Sequence, residues 1–292
     1  MAVLIAGCGS RAAPGSSSSA QPSGATATAA PAQAATSATA LAPSSPSGTA
    51  AAARVRVAAC PVPAADYLGT AYSPRAAPAT LSLPAALPLP QHAQIFGTTF
   101  LPGSTSYLLG PESATCRGAL ASADGGEIMT ATPASGRPAG VTMIIRPGGV
   151  GPSTDLACPY IPAALAADKA FRQGHVFCAH PPADVIRQIP TGTAGLYAAA
   201  VLVPAQVKDP NIRGSGDGAD PAVALYTAQA GSDYANGQTI SCTLTPAQQG
   251  ICAISLKFFL ATQTQISTRI SAANLSEMEA FLASFLAEHD IR

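Results

Sequence analysis

Few residues in this chain place reactive side chains at a useful spacing. His175-Val-Phe-Cys178-Ala-His180 brings two imidazoles and a thiol together. Imidazole and thiolate are zinc ligands, but this spacing matches none of the common zinc patterns. If Cys178 is held in a disulfide, only two packed or solvated histidines are left. Asp209-Pro-Asn211-Ile-Arg213-Gly214-Ser215-Gly-Asp217-Gly-Ala-Asp220 sets Asp209, Asn211, Asp217 and Asp220 around a glycine turn, an echo of a calcium loop. Arg213 puts a cation where an oxygen ligand belongs, and Asp220 is too short to replace a bidentate Glu. With no convincing helix on either side, the segment is expected to be a surface loop.

Hydrolytic chemistry finds little support. His180, Asp184 and a serine form a triad only on paper, since the chain has four histidines (His92, His175, His180 and His289) and many serines. Asp124 and Glu127 are near enough in sequence for a carboxylate pair, but Gly125-Gly126 between them marks turn residues. Gly-x-Ser-x-Gly, His-Glu-x-x-His and Ser-x-x-Lys are absent, as is a phosphate-cradling glycine loop. The sequence therefore names no catalytic residue, no metal site and no cofactor.

The elements that would position such groups are mainly strands. Ser106–Leu109 and Thr115–Leu120 flank the turn-rich Gly110-Pro111-Glu112-Ser113. Asp124-Gly125-Gly126 reads as a hairpin turn into the strand Glu127–Thr132, and Val141–Arg146 as a strand ending at Pro147-Gly148-Gly149. Leu196–Val203, Ala222–Thr227 and Thr239–Leu244 follow, with Asp233–Gly237 as the turn between the last two. Ile254, Leu256 and Phe258 alternate with Ser255 and Lys257 like a half-buried strand, although Thr245-Pro246 is a competing helix start. A helix is expected over Pro162–Phe171. A second, amphipathic one lies at the C-terminus, capped by Asn274 with Glu277 completing a capping box. Its apolar stripe is Met278, Phe281, Leu282, Phe285 and Leu286, a docking face onto the protein's own sheet. The fold class is α+β, mainly antiparallel β, with that C-terminal amphipathic helix.

Seven cysteines are present. Setting Cys8 aside leaves Cys60, Cys116, Cys158, Cys178, Cys242 and Cys252, an even set that reads as a disulfide framework in an exported chain. Sequence alone leaves the pairing open; proximity favours Cys60–Cys116, Cys158–Cys178 and Cys242–Cys252.

The N-terminus gives a location. Ile5-Ala6-Gly7-Cys8 resembles a lipobox, the processing site of bacterial lipoproteins. The resemblance implies that Cys8 becomes a lipidated mature N-terminus, anchored firmly only if more than one acyl chain is attached. No Lys or Arg precedes Cys8 and the apolar stretch is short, so a natural start upstream of Met1, or a trimmed N-terminus, is expected. Residues 9–54 are almost wholly Ala, Ser, Thr, Pro and Gly, with Arg11 the only charge before Arg54. Such a composition cannot offset chain entropy and reads as a disordered tether. Residues 55–292 are expected to form the globular part. Gly110-Pro-Glu-Ser-Ala-Thr-Cys116-Arg-Gly, Asp155-Leu-Ala-Cys158-Pro-Tyr-Ile-Pro and Pro181-Pro-Ala-Asp184-Val-Ile resemble uncharacterised exported proteins of high-GC Gram-positive bacteria. That likeness implies a location and carries no activity.

Charge removes other classes. Fifteen basic and fifteen acidic residues give a net charge of zero, and charged residues are 10% of the chain, against roughly 25% in an average soluble protein. With no basic excess, no nucleic-acid partner is expected. No apolar run approaches the ~18 residues of a spanning helix. The leading expectation is an extracytoplasmic lipoprotein on the cell membrane, with a non-enzymatic domain that binds a cell-wall or protein partner. Its rivals are a secreted hydrolase of wall or extracellular material and a solute-binding protein of a transporter.

Overall fold

The chain divides into two units, Met1–Gly48 and Thr49–Arg292. The computed structural model describes residues 53–65, 69, 71–83, 87, 89–101, 104–120, 126–134, 140–174, 178, 185–204, 219–229, 232, 234–267 and 270–291. All of these belong to the second unit, an α+β fold.

Its elements run β1 (Ala53–Ala59), β2 (Arg75–Ala76), β3 (Thr80–Leu83), β4 (Ala93–Leu101), β5 (Ser104–Pro111), β6 (Thr115–Leu120), β7 (Glu127–Thr132), β8 (Gly140–Gly149), α1 (Val150–Ala157), α2 (Pro162–Phe171), β9 (Val185–Ile189), β10 (Leu196–Pro204), β11 (Ala219–Ala228), β12 (Tyr234–Thr243), a 3-10 turn (Pro246–Gln248), α3 (Gln249–Ser267) and α4 (Ala272–Glu288). Seven strands form one antiparallel sheet in the order β6-β7-β8-β12-β11-β10-β9. The smaller sheet runs β2-β4-β1-β3, with β5 also on β4. Within it, β1 lies parallel to β4 and the other pairs are antiparallel.

Alternation along the strands of the large sheet sends side chains to two separate cores. Ala199, Val201, Val203, Ala222, Ala224 and Tyr226 pack under α1 and α2. Val141, Met143, Ala198, Ala200, Val223 and Ile240 face the other way, against α3 and α4. The small sheet adds a third cluster, where Leu83, Ile95, Tyr107 and Leu109 meet Ile251 and Phe258 of α3.

α3 therefore lies between the sheets and carries two apolar stripes at helical spacing. Cys252, Leu256 and Phe259 belong to the large-sheet core, and Ile251 and Phe258 to the small-sheet core. Ser255, fully buried, donates to Leu109 O at 2.9 Å and so fixes the helix to β5. This corrects the strand expected through Ile254, Leu256 and Phe258. A helix buried on nearly every side loses its single stripe, and the short apolar alternation left over imitates a strand. The Thr245-Pro246 start was the better signal.

Other expectations are adjusted by the structure. The C-terminal helix begins earlier: Ser271, not Asn274, is its cap and accepts from Asn274 N at 3.1 Å. Asn274 instead donates through Nδ2 to Gly192 O at 3.0 Å and to Thr193 Oγ1 at 3.1 Å. Its stripe is as expected, with Met278, Leu282, Phe285 and Leu286 buried and Phe281 partly so. β8 does not stop at Pro147, because β12 keeps pairing with it as far as Gly149. Residues 234–237 are likewise strand and not turn, being the first part of β12. β6 and β7 pair as a hairpin, with Asp124-Gly125 of its turn outside the described residues. The helix over Pro162–Phe171 is present as α2.

The six cysteines form Cys60–Cys116, Cys158–Cys178 and Cys242–Cys252. The first ties the end of β1 to β6, the second closes the chain after α2 onto the end of α1, and the third ties β12 to α3. In the chain-entropy account these stabilise by roughly 3 kcal/mol for the shortest loop and roughly 4 kcal/mol for the longest.

Candidate functional site

Among the described residues, a cleft of about 460 Å³ opens where the small sheet meets the start of α3, a size within the usual range for small-molecule sites. Three short segments wall it. The first is Pro90-Gln91-His92, leading into β4. The second, Pro111-Glu112-Ser113, leaves the end of β5. The third, Ala247, Gln248, Gly250 and Ile251, spans the 3-10 turn and the first turn of α3.

Local backbone geometry sets these walls. Pro90 and Pro111 open tight turns, with Ala93 N donating to Pro90 O at 3.3 Å and Ala114 N to Pro111 O at 2.9 Å. Glu112 N donates to His92 O at 2.6 Å, joining the first two walls. His92 has φ 65°, a left-handed conformation that non-glycine residues seldom adopt and that costs of order 1 kcal/mol or more. The third wall is held by the Cys242–Cys252 bond just beyond Ile251. Thr245 Oγ1 lies 3.3 Å from Gln248 Oε1 and Gln248 N donates to Thr245 O at 2.8 Å, which orients that side chain. The side chains of His92 and Glu112 are 84% and 65% exposed, with Nδ1 and Oε2 3.7 Å apart. That gap is longer than a hydrogen bond.

His175, His180, Asp184, Asp124, Asp209, Asn211, Arg213 and Asp217 fall outside the described residues. Cys178 is bonded to Cys158. Asp220 belongs to β11, is buried, and accepts from Thr243 Oγ1 at 2.7 Å. Glu127 is the first residue of β7 and not a turn residue; it is buried and accepts from Ser106 Oγ at 2.6 Å, across from the other sheet. No group of three or more His, Cys, Asp or Glu able to hold a metal is found among the described residues.

A second polar cluster joins α1 to α2. Asp168, fully buried, accepts from Arg172 Nε at 2.7 Å and from Thr154 Oγ1 at 3.2 Å. Arg172 Nη2 reaches Asp155 at 2.7 Å. The hydrogen bond it donates to Asp168 is the main cause raising the Arg172 guanidinium pKa above its ordinary value. Every group in this cluster is engaged by another, as in a structural clamp.

The cleft was not visible in the sequence as a site. Its only local signals were two proline-led turns bearing His92 and Glu112. Nothing in the linear order connects them to Gln248. Compared with known proteins, the chain matches no family model, no curated protein and no solved structure.

Proposed function

We propose that this protein is an extracytoplasmic lipoprotein whose folded unit is a non-enzymatic binding module, held to a membrane through a lipid on Cys8. Cysteine pairing carries the reading. Of seven cysteines, six are used in three disulfides within the folded unit, and the one left over is the Cys8 of Ile5-Ala6-Gly7-Cys8. A disulfide-braced domain belongs to an oxidising compartment, and a lone cysteine behind two small residues is what lipid attachment requires. No helix among the described residues is long and apolar enough to cross a membrane; in this reading attachment falls to the lipid. The segment from Gly9 to residue 54 serves as the tether. The cleft beside α3 serves as the binding site, its partner lying in the cell envelope.

The test is the intact mass of the protein recovered from membranes. An N-terminus at Cys8 carrying acyl mass is expected, with Cys8→Ser releasing the protein from the membrane fraction. An unmodified Cys8, or membrane association that survives Cys8→Ser, would overturn the reading. A hydrolase is the second reading, favoured by His92, Glu112 and Ser113 lining one cleft. Labelling of Ser113 by a fluorophosphonate would establish it in place of simple binding.

A further inference from the structure

Resting on the binding-module reading, we infer that the cleft beside α3 takes a primary ammonium flanked by peptide amides, as at the free N-terminus of a short peptide. His92 Nδ1 and Glu112 Oε2 stand 3.7 Å apart. They are too far apart to bond to each other, yet near enough for one ammonium nitrogen to sit about 2.8 Å from both. An ammonium has three hydrogens to donate, and a neutral imidazole nitrogen and a carboxylate are both acceptors. Among the described residues, Glu112 is the only carboxylate lining the cleft and no Lys or Arg lines it, so the local field favours a cation over a phosphate or a carboxylate.

The other walls suit the rest of a peptide. Gln91 and Gln248 offer primary amides, which pair with backbone amides as donor and acceptor together. Thr245 Oγ1 engages Gln248 Oε1, and the Nε2 hydrogens of Gln248 can donate to a ligand carbonyl. Pro111 and Ile251 supply apolar contact for a small aliphatic side chain, while among the described residues no Phe, Tyr or Trp lines the cleft. The Cys242–Cys252 bond holds one wall in place before the ligand arrives, which lowers the ordering cost of binding.

The experiment is an amide chemical-shift titration of the full chain carrying Cys8→Ser. The probes are tri-alanine, N-acetyl-tri-alanine amide and Nα-acetyl-lysine methylamide. Tri-alanine is expected to shift the amides of His92, Ser113 and Gly250. N-acetylation is expected to weaken binding by about tenfold or more. Glu112→Gln should weaken tri-alanine binding by about fivefold or more, with the remainder of the spectrum unchanged because that side chain is exposed. Equal binding of the acetylated peptide, or no shift at about 10 mM tri-alanine, would overturn the assignment. Binding of the lysine derivative alone would overturn the α-amine as the source of the ammonium. None of these results bears on the mass of Cys8, so failure of the cleft assignment and failure of the lipoprotein reading are seen separately.

Discussion

On one face of the seven-stranded sheet, α1 and α2 lie close over alanine; on the other, α3 and α4 are held off by Met143, Phe259, Met278 and Phe285. The alanine face is stapled by polar contacts. Ser153 Oγ donates to Arg146 O and to Ala235 O, each at 2.8 Å, and the Thr154–Asp168 and Asp155–Arg172 contacts join the two helices. Gly237 lets the Ser153 carbonyl come so near that a Cβ there would overlap it. On the α3 face volume dominates: large side chains interlock between two sheets, with Ser255 as the main polar anchor. One sheet can thus be covered by proximity or by bulk. The first depends on backbone fit and satisfied polar groups, the second on filled space.

Substitutions on the two faces should separate these modes. The largest effect is expected from Phe259→Ala on the bulky face, with about 3 to 5 kcal/mol lost in chemical denaturation. A loss below about 1.5 kcal/mol would mean that the space between the sheets closes up and that bulk is not what holds this face. Asp168→Ala on the alanine face should cost roughly 2 to 3 kcal/mol, below the range for a fully buried pair because Arg172 keeps Asp155. Asp168→Asn should recover part of that, since Asn still accepts from Thr154. Gly237→Ala should cost roughly 1 to 3 kcal/mol by pushing α1 away from β12. Its distinguishing sign would be faster hydrogen exchange in α1 with α3 unchanged.

The smallest effect is set by pH. Burial raises the Glu279 carboxyl above the ordinary glutamate range, and Lys257 offsets this in part. Because the folded state disfavours the charged form, its stability is greatest below the ordinary glutamate range and falls as pH rises through that range toward the raised value. Glu279→Gln should flatten this slope and add less than about 0.5 kcal/mol at neutral pH, given the partial solvent screening. A slope that persists in Glu279→Gln would assign it to another carboxyl.

Local signals were legible where one element meets one core. α2 shows its Pro start, its Ala-rich body and Gly174 beyond its end. The α4 stripe stood out because that helix docks on one side only. Reading failed where two cores share an element, as in α3, whose stripes for the large and the small sheet blur into apparent alternation. It failed also at the start of α4. There Asn274 has the right side chain for a cap, but Gly192 and Thr193, far away in sequence, claim it and leave the cap to Ser271. Asp220 and Glu127 were read as loop and turn residues from the glycines beside them, yet both are buried. Thr243 and Ser106 supply the hydrogen bonds that allow it.

The sequence alone determined the strand-rich α+β character and the even set of six cysteines, because these rest on composition, periodicity and counting, which are properties of neighbouring residues. Tertiary structure alone decided which cysteines join, that α3 is a helix buried between two sheets, and that His92, Glu112 and Gln248 share one cleft. Those outcomes depend on strands that pair across long stretches of chain, and the free energy that selects the pairing comes from surfaces that meet only after folding.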